Sequence, residues 1–259
     1  MTTPKDEAYP ARSRYQGSFA QDYLAGRVHD PRWEREQEAI EGFLRKCAPG
    51  STVVDVPFGT GRFVDFYAQC ELVVYGLDVS RDMMDQARST ARELNARLEP
   101  VLGEIEFLPV RDRSIDHVVC VRFLNWVQLP VVDRILGEFA RVARKDVLVH
   151  VRVRKPLGSA ALLRTLGHEA VTQTIPLLRR FVGYTRQSLV GALRRLAGRA
   201  APDETYGYAL HDADALDAVI RRHGFEIVDT VLIESETAYS RSQIEPLYVF
   251  VLRPAGTDG

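Results

Sequence analysis

The 259-residue sequence is poor in cysteine and has no long apolar run. Its three cysteines, Cys47, Cys70 and Cys120, are an odd number scattered over helix-like and strand-like segments, which disfavours a disulfide framework and favours a reducing compartment. No apolar stretch approaches the ~20 residues that span a bilayer. The N-terminus is polar and has no apolar core of the signal-peptide kind. We therefore expect a soluble, cytoplasmic protein without a transmembrane segment.

Acidic residues are almost missing from one segment. Residues 151–202 carry ten arginines and lysines against a single acid, Glu169, which is a net charge of +9. The whole chain has a formal net charge of −1, so the remainder is strongly acidic. Such asymmetry hints at an anionic partner for the basic segment. The aromatic residues on which single-stranded nucleic acids stack are few there, so nucleic acid is the less favoured partner.

Outside this segment, strand-like and helix-like patterns alternate. Short β-branched or apolar runs at 52–56, 72–77, 117–123 and 147–153 are separated by amphipathic stretches such as 132–143, where apolar residues recur at helical spacing. The alternation predicts an α/β fold of the Rossmann-like type, with a mostly parallel seven-stranded sheet and helices on both faces. Its strands should end at one common edge, where such sheets bind ligands.

One strand-to-helix turn is rich in glycine. Asp55 ends the first strand, and Gly59 and Gly61 follow at positions where a missing β-carbon lets the backbone approach a ligand closely. The spacing differs from the G-x-G-x-x-G fingerprint of dinucleotide sites, and the Asp55 carboxylate would repel a pyrophosphate. A cationic ligand with an amino acid tail fits this turn better.

Residues 53–63 resemble the glycine-rich first motif of class I S-adenosylmethionine (SAM)-dependent methyltransferases of the small-molecule type, in the variant where proline, here Pro57, replaces the first glycine. The resemblance extends over roughly residues 50–155 and 212–252. It implies that the chain is an enzyme, a methyltransferase, and that its cofactor is S-adenosyl-L-methionine.

The resemblance also assigns cofactor contacts. Asp78 stands at the second strand tip, where the family has an acidic residue that holds both ribose hydroxyls, and it lies 23 residues after Asp55, close to the spacing of about 20 seen in related folds. Glu104 stands where the family usually has an aspartate beside the adenine. The expected contacts are Asp55, Pro57, Gly59, Thr60, Gly61, Asp78, Val79, Met83, Glu104, Ile105 and Val121, with Tyr15, Tyr23 and Arg27 of the N-terminal arm over the cofactor's carboxylate.

The acceptor side is less defined. The Asn/Asp-Pro-Pro-Tyr segment of enzymes that methylate amino groups of bases or glutamine is absent after the fourth strand, which argues against that chemistry. The expected substrate contacts are Arg122, Asn125, Trp126, Arg179 and Arg180. The alternatives are a core-packed Trp126, an Asn125 that caps a helix, and an arginine cluster that is only a solvated surface.

His150, near the end of the fifth strand, is the best-placed general base because imidazole titrates near neutrality. The alternative is a hydrogen-bonded structural histidine, and His168 and His211 are weaker candidates for the base. We assign no metal ligands.

These patterns divide the chain into three parts. We predict an N-terminal arm and helix over the cofactor site at 1–48, a SAM-binding core at 49–154 and 212–259, and a basic, mostly helical cap at 155–211. The favoured function is methyl transfer to a small or medium-sized metabolite on oxygen, with an anionic acceptor as one option. The alternatives are an RNA or protein methyltransferase that docks through the cap, and a SAM-fold protein with other chemistry. A homodimer is left open.

Overall fold

Five α-helices and eight strands follow one another in the parts of the chain that the structure, a computed structural model, describes: residues 31–156, 209–237 and 243–256. The helices are α1 (Pro31–Leu44), α2 (Val64–Gln69), α3 (Arg81–Glu93), α4 (Leu129–Val142) and α5 (Ala213–Arg222), with a 3₁₀ helix at Leu124–Trp126. The strands are β1 (Thr52–Asp55), β2 (Val73–Asp78), β3 (Arg97–Leu102), β4 (His117–Cys120), β5 (Val147–Pro156), β6 (His211–Asp212), β7 (Phe225–Thr237) and β8 (Gln243–Pro254).

The strands form one sheet in the order β3-β2-β1-β4-β5-β8-β7, and the two-residue β6 pairs with β5. β3, β2, β1, β4 and β5 are mutually parallel, whereas β8 is antiparallel to both β5 and β7. This confirms the predicted Rossmann-like, mostly parallel sheet, and the main path has the predicted seven strands.

Some strand bounds differ from the prediction. The apolar pair Val101-Leu102 predicts a weak third strand, but β3 begins four residues earlier, at Arg97. Its residues are half-buried or exposed, so this edge strand has no continuous apolar run. β5 continues to Pro156 and β6 begins at His211. The core strands therefore extend slightly into the range that we assigned to the cap.

Side-chain caps begin two of the helices. The Ser80 hydroxyl accepts a hydrogen bond from the Met83 amide before α3, and the Asp212 carboxylate accepts from the amides of Asp214 and Ala215 before α5. Each bond satisfies a backbone donor that has no partner within its helix. The first of these caps fixes the chain directly after the tip of β2, where the site lies.

Two apolar clusters cover the two faces of the sheet. On one face α4 and α5 pack against residues such as Val118 and Val149, and on the other α1, α2 and α3 pack against residues such as Val119 and Leu148. Because strand residues alternate between faces, His150 and Arg152 lie on the α1 side of β5. In the described parts, no helix is long and apolar enough to cross a membrane.

Candidate cofactor and acceptor site

The loop after β1 contains two glycines with different roles. Both adopt positive φ, +59° at Gly59 and +79° at Gly61, in the left-handed region where a side chain is costly. A β-carbon at Gly59 would have no atom within 4 Å, whereas one at Gly61 would lie 2.6 Å from Val64 Cγ2. Gly59 therefore faces open space that a ligand can enter, and Gly61 is required by the packing of the loop itself.

Asp78, at the tip of β2, joins this loop to the start of α3. Its carboxylate accepts 2.8 Å hydrogen bonds from the amides of Gly59 and Ser80, and the residue is 7% exposed. Burial raises the pKa of the Asp78 carboxyl although these amides oppose the shift. The Val79 amide donates as well, and a carboxylate has about four lone-pair positions, so capacity remains for a further donor such as a hydroxyl group.

Asp55, at the tip of β1, is 4% exposed and accepts a 2.9 Å hydrogen bond from the hydroxyl of Tyr67 on α2. Burial raises the pKa of the Asp55 carboxyl to about 8, and the nearby charge of Asp78 adds to the rise. Two buried carboxyl groups thus lie at the tips of the neighbouring strands β1 and β2, and that of Asp78 is bonded to Gly59. Neither forms an ion pair with a described cation of the protein.

The segment after β3 reaches the same edge. The Gly103 amide donates to the Asp78 carbonyl oxygen at 3.1 Å, Ile105 is buried, and Glu104 and Val79 are half-buried. Farther along this segment, the Leu108 amide donates to the carboxylate of Glu138 on α4 at 2.9 Å, and Arg141 donates to the Leu108 carbonyl at 2.9 Å. Helix α4 therefore holds the segment against the sheet.

A buried ionic cluster occupies the β4 and β5 side of the edge. Glu36 of α1, which is fully buried, accepts from Arg62 Nη1 at 3.0 Å and from Arg122 Nε at 2.8 Å, and its Oε1 lies 2.7 Å from His150 Nε2. We call these four residues the Glu36 cluster. Burial alone would raise the pKa of the Glu36 carboxyl, but the hydrogen bonds and charges of His150 and Arg122 outweigh it and hold the pKa far below its usual range.

The indole of Trp33, one turn before Glu36, lies against both arginines of the cluster. The guanidinium carbon of Arg62 is 3.4 Å from the ring centroid and that of Arg122 is 4.6 Å from it. Both distances are within the range of cation–π attraction. Helix α1 therefore connects the glycine loop, through Arg62, to the residues that follow β4.

Residues 53–146 match the family model described as a methyltransferase domain. The match therefore concerns the part of the chain from β1 to the turn before β5. A malonyl-[acyl-carrier protein] O-methyltransferase of Pectobacterium atrosepticum is 34% identical over 39% of this chain and 38% of that protein. An uncharacterised methyltransferase of Mycobacterium tuberculosis is 30% identical over 49% of this chain and 47% of its own length. The chain thus spans less than half the length of these curated relatives.

Solved structures show the same fold as the methyltransferase domain. The magnesium protoporphyrin IX methyltransferase of Synechocystis, determined with bound SAM, has a TM-score of 0.53 at 15% identity, with 98% of this chain and 92% of that one covered. The [4+2]-cyclase SpnF has a TM-score of 0.56 at 17% identity, with 87% and 85% covered. At such identities the likeness concerns the fold alone.

The predicted cofactor residues of the methyltransferase domain follow the carboxyl ends of four neighbouring strands. Those that the structure describes are Asp55, Pro57, Gly59, Thr60 and Gly61 after β1, Asp78, Val79 and Met83 after β2, Glu104 and Ile105 after β3, and Val121 after β4. Tyr15, Tyr23 and Arg27 lie outside the described residues, as do Arg179, Arg180 and His168 of the predicted cap.

The predicted general base is enclosed by the Glu36 cluster. His150 Nδ1 accepts from the Arg122 amide at 3.3 Å, while Nε2 faces Glu36. Both ring nitrogens therefore have neighbours within the protein, which favours the structural alternative. A catalytic role for His150 stays a prediction.

The predicted substrate contacts Asn125 and Trp126 have different surroundings. The Asn125 amide nitrogen donates to the carbonyls of Arg152 and Ala209, each at 2.8 Å, and its oxygen accepts from the Arg152 amide at 2.7 Å. The Asn125 side chain thus does not cap a helix; it fastens β5 to the chain at residue 209. A substrate contact of Asn125 stays a prediction. Trp126 is 44% exposed, so it is not the core residue of the alternative interpretation.

Three residues of the site were not predicted from the sequence: Glu36, Arg62 and Tyr67. Glu36 carried a usable signal, because it lies three residues after Trp33 and four before Ile40, on the apolar face of α1. A charged residue on such a face requires a buried partner. Arg62 and Tyr67 give no comparable signal, since an arginine after a glycine turn and an aromatic residue in a short helix are common in surface and core positions.

Proposed function

We propose that this chain transfers methyl groups from SAM to a small molecule. The observation that carries the proposal is the open space over Gly59, together with the buried carboxyl groups of Asp55 and Asp78 at the tips of β1 and β2. The cofactor's ribose offers hydroxyl donors and its methionine end offers an ammonium group, and both match carboxylates. A pyrophosphate would instead meet two acidic groups. The residues present therefore fit SAM better than a dinucleotide.

Within this proposal, each residue of the site has a defined task. Asp78 binds the ribose hydroxyls while it holds the Gly59 amide, and Asp55 receives the ammonium group. Ile105 and Met83 give an apolar boundary on the adenine side. When bound, SAM supplies an already activated methyl group, so the protein mainly has to orient the acceptor and exclude water.

The acceptor, in our proposal, is methylated on oxygen and carries an acidic group. Two observations support this: the +9 charge of residues 151–202, and the O-methyltransferase activity of the Pectobacterium relative. Arginine pairs bidentately with carboxylates and phosphates. We include Arg179 and Arg180 in the proposed acceptor site.

Calorimetry with SAM, S-adenosylhomocysteine and NAD tests the cofactor assignment. We expect the first two to bind in the micromolar range and NAD not to bind. Gly59→Val should abolish SAM binding, because its side chain would fill the open space. Gly50→Val is the matched control: Gly50 also has positive φ and open surroundings, but it precedes β1 at the opposite end of the strand. NAD binding without SAM binding would contradict the proposal.

The acceptor is tested by following S-adenosylhomocysteine formation with panels of carboxylic acids, acyl thioesters of dicarboxylic acids, phosphorylated metabolites and amines. We expect turnover with an acidic oxygen acceptor. Paired Arg179→Gln and Arg180→Gln should raise its apparent KM with SAM affinity nearly unchanged. An unchanged KM would remove the anionic acceptor from the proposal, and the absence of S-adenosylhomocysteine with every acceptor class would favour non-methyl-transfer chemistry. A steep salt dependence of binding would favour a polyanionic RNA.

A further inference from the structure

The Asp55 carboxyl group is buried with one hydrogen-bonding side chain. The hydroxyl of Tyr67 donates to its Oδ2 at 2.9 Å, and both residues are buried. Across the described residues, no other side chain is hydrogen-bonded to this carboxyl. An ionised carboxylate in such surroundings normally has a cation or several donors beside it.

The Tyr67 hydroxyl and the charge of Arg62 favour ionisation of Asp55, but burial and the charge of Asp78 outweigh them. From β2, Asp78 adds a like charge, and from β4, Cys120 contributes a thiol whose pKa burial raises, so it stays neutral. Cys47, which faces Tyr67, is neutral for the same reason. Arg62, whose charge acts on Asp55, donates its own hydrogen bonds elsewhere, to Glu36 at 3.0 Å and to the Trp33 carbonyl oxygen at 3.0 Å.

The Tyr67 hydroxyl keeps its proton at neutral pH. Burial and the neighbouring Asp55 raise its pKa well above the ordinary value. Burial raises the pKa of the Asp55 carboxyl to about 8, so this group is also protonated at neutral pH. Of the two, Asp55 is the group that can release its proton when a cation binds. Among the residues that the structure describes, the Asp55 carboxyl therefore has no cation bonded to it.

We propose that binding of the cofactor's ammonium group displaces one proton from Asp55 to solvent, and that Tyr67 is the positioning residue that directs the resulting carboxylate. This inference rests on the proposed SAM binding. The ammonium keeps its three protons, the Asp55 O–H bond breaks, and the Tyr67 hydroxyl continues to donate to Oδ2. The other oxygen, Oδ1, is then the one that meets the ammonium group.

The displaced proton gives SAM binding a characteristic pH dependence. Between pH 6 and 7.5 the affinity should rise nearly tenfold for each pH unit, because one proton is released for each ligand bound. Above about pH 8 the gain should end, since a free α-amino group loses its own proton near pH 7.7–8.0. Tyr67→Phe removes the donor to the ionised carboxylate, so it should move the acidic limb upward by about one pH unit.

Calorimetry at pH 6.5 in two buffers with different ionisation enthalpies measures the proton directly. SAM and S-adenosylhomocysteine should each release close to one proton. 5′-Methylthioadenosine, which has the nucleoside but no amino acid tail, should bind without releasing one. The Asp55→Asn variant should bind SAM weakly with no proton release.

The matched control for Tyr67→Phe is Tyr75→Phe, the same substitution on β2, where the ring packs into the cluster on the other face of the sheet. It should leave the pH profile unchanged. If wild-type protein binds SAM without proton release, or if Tyr67→Phe is folded and keeps the wild-type profile, the inference is overturned while the proposed function stands. Failure of SAM to bind at every pH would overturn the proposed function and this inference together.

Discussion

At the carboxyl edge of the sheet, the buried acids beside β1 and β2 and the buried acid beside β4 and β5 have opposite pKa shifts. We call these two parts of the edge the β1–β2 half and the β4–β5 half. Within the described ranges, Asp55 and Asp78 have no arginine, lysine or histidine hydrogen-bonded to them, and their pKa values are raised. Glu36 is equally buried but contacts Arg62, Arg122 and His150, and its pKa is lowered. Burial opposes ionisation in all three, so the neighbouring cations decide the difference.

We infer from this difference that the β1–β2 half serves to bind a ligand, whereas the β4–β5 half serves to hold the protein together. In the β1–β2 half, the missing positive charge is left for a ligand to supply, which suits a cofactor that carries both an ammonium and a sulfonium group. In the β4–β5 half, the protein satisfies its own charges, and the polar side chains of Asn125 and His150 hold other parts of the chain. Acceptor recognition must then use groups that this internal network leaves accessible.

The largest expected effect comes from breaking the network on the β4–β5 side. Glu36→Gln should lower the free energy of unfolding by about 3–5 kcal/mol, because it leaves two guanidinium groups without their buried counter-charge. Because its pKa is lowered in the folded state, Glu36 contributes stability above the ordinary glutamate pKa and loses it as the pH falls further. Urea titrations should therefore show a smaller deficit of the variant in acid. Glu38→Gln, exposed on the same helix, should change little.

The next effect concerns the β1–β2 half alone. Asp78→Ala should weaken SAM binding by about 1.5–3 kcal/mol, since it removes charge-assisted hydrogen bonds and frees the Gly59 amide. Asp85→Ala, on the exposed face of α3, is the control. Calorimetry that finds wild-type affinity in folded Asp78→Ala would show that the ribose binds elsewhere.

Asn125→Ala should reduce the stability by about 1–3 kcal/mol, because two carbonyls and one amide lose their partner. The SAM affinity should stay nearly constant while the acceptor KM rises. This result would separate the function of the β4–β5 half from that of the β1–β2 half. Thermal unfolding and steady-state kinetics measure the two effects. A loss of SAM affinity with unchanged KM would show that the two halves are not separate in function.

The smallest effect has the opposite sign. A carboxyl with a raised pKa contributes stability at low pH and loses it as the pH rises through the folded value, here about 8. Asp55→Asn should therefore make the ligand-free protein more stable than wild type at pH 8.5, by at least about 1.4 kcal/mol, the equivalent of one pKa unit. Denaturation at pH 5 should show a smaller difference. Equal stabilities at both pH values would mean that Asp55 is ionised and has a partner.

More of the β1–β2 half than of the β4–β5 half could be predicted from the sequence, and the reason is physical. β-Branched strands, amphipathic α4 and the glycine turn are local patterns, so the sheet could be predicted and candidate cofactor residues such as Asp55 and Asp78 could be selected. Glu36, Arg122 and His150 are 28 to 114 residues apart and meet only through the sheet order. No local pattern predicts such a contact. The same reason hid the role of Asn125, whose partners belong to β5 and to the chain at residue 209.

The contacts of Asn125 also allow the connection between β5 and β6 to be replaced while the core is kept. One side chain holds Arg152 in β5 and Ala209 before β6, and the two strands pair in parallel through Val153 and His211. The chain thus leaves and re-enters the sheet at neighbouring points, so the ends of the intervening stretch are fixed by the core itself. A connection of different length or chemistry can replace it at a small cost in closure entropy.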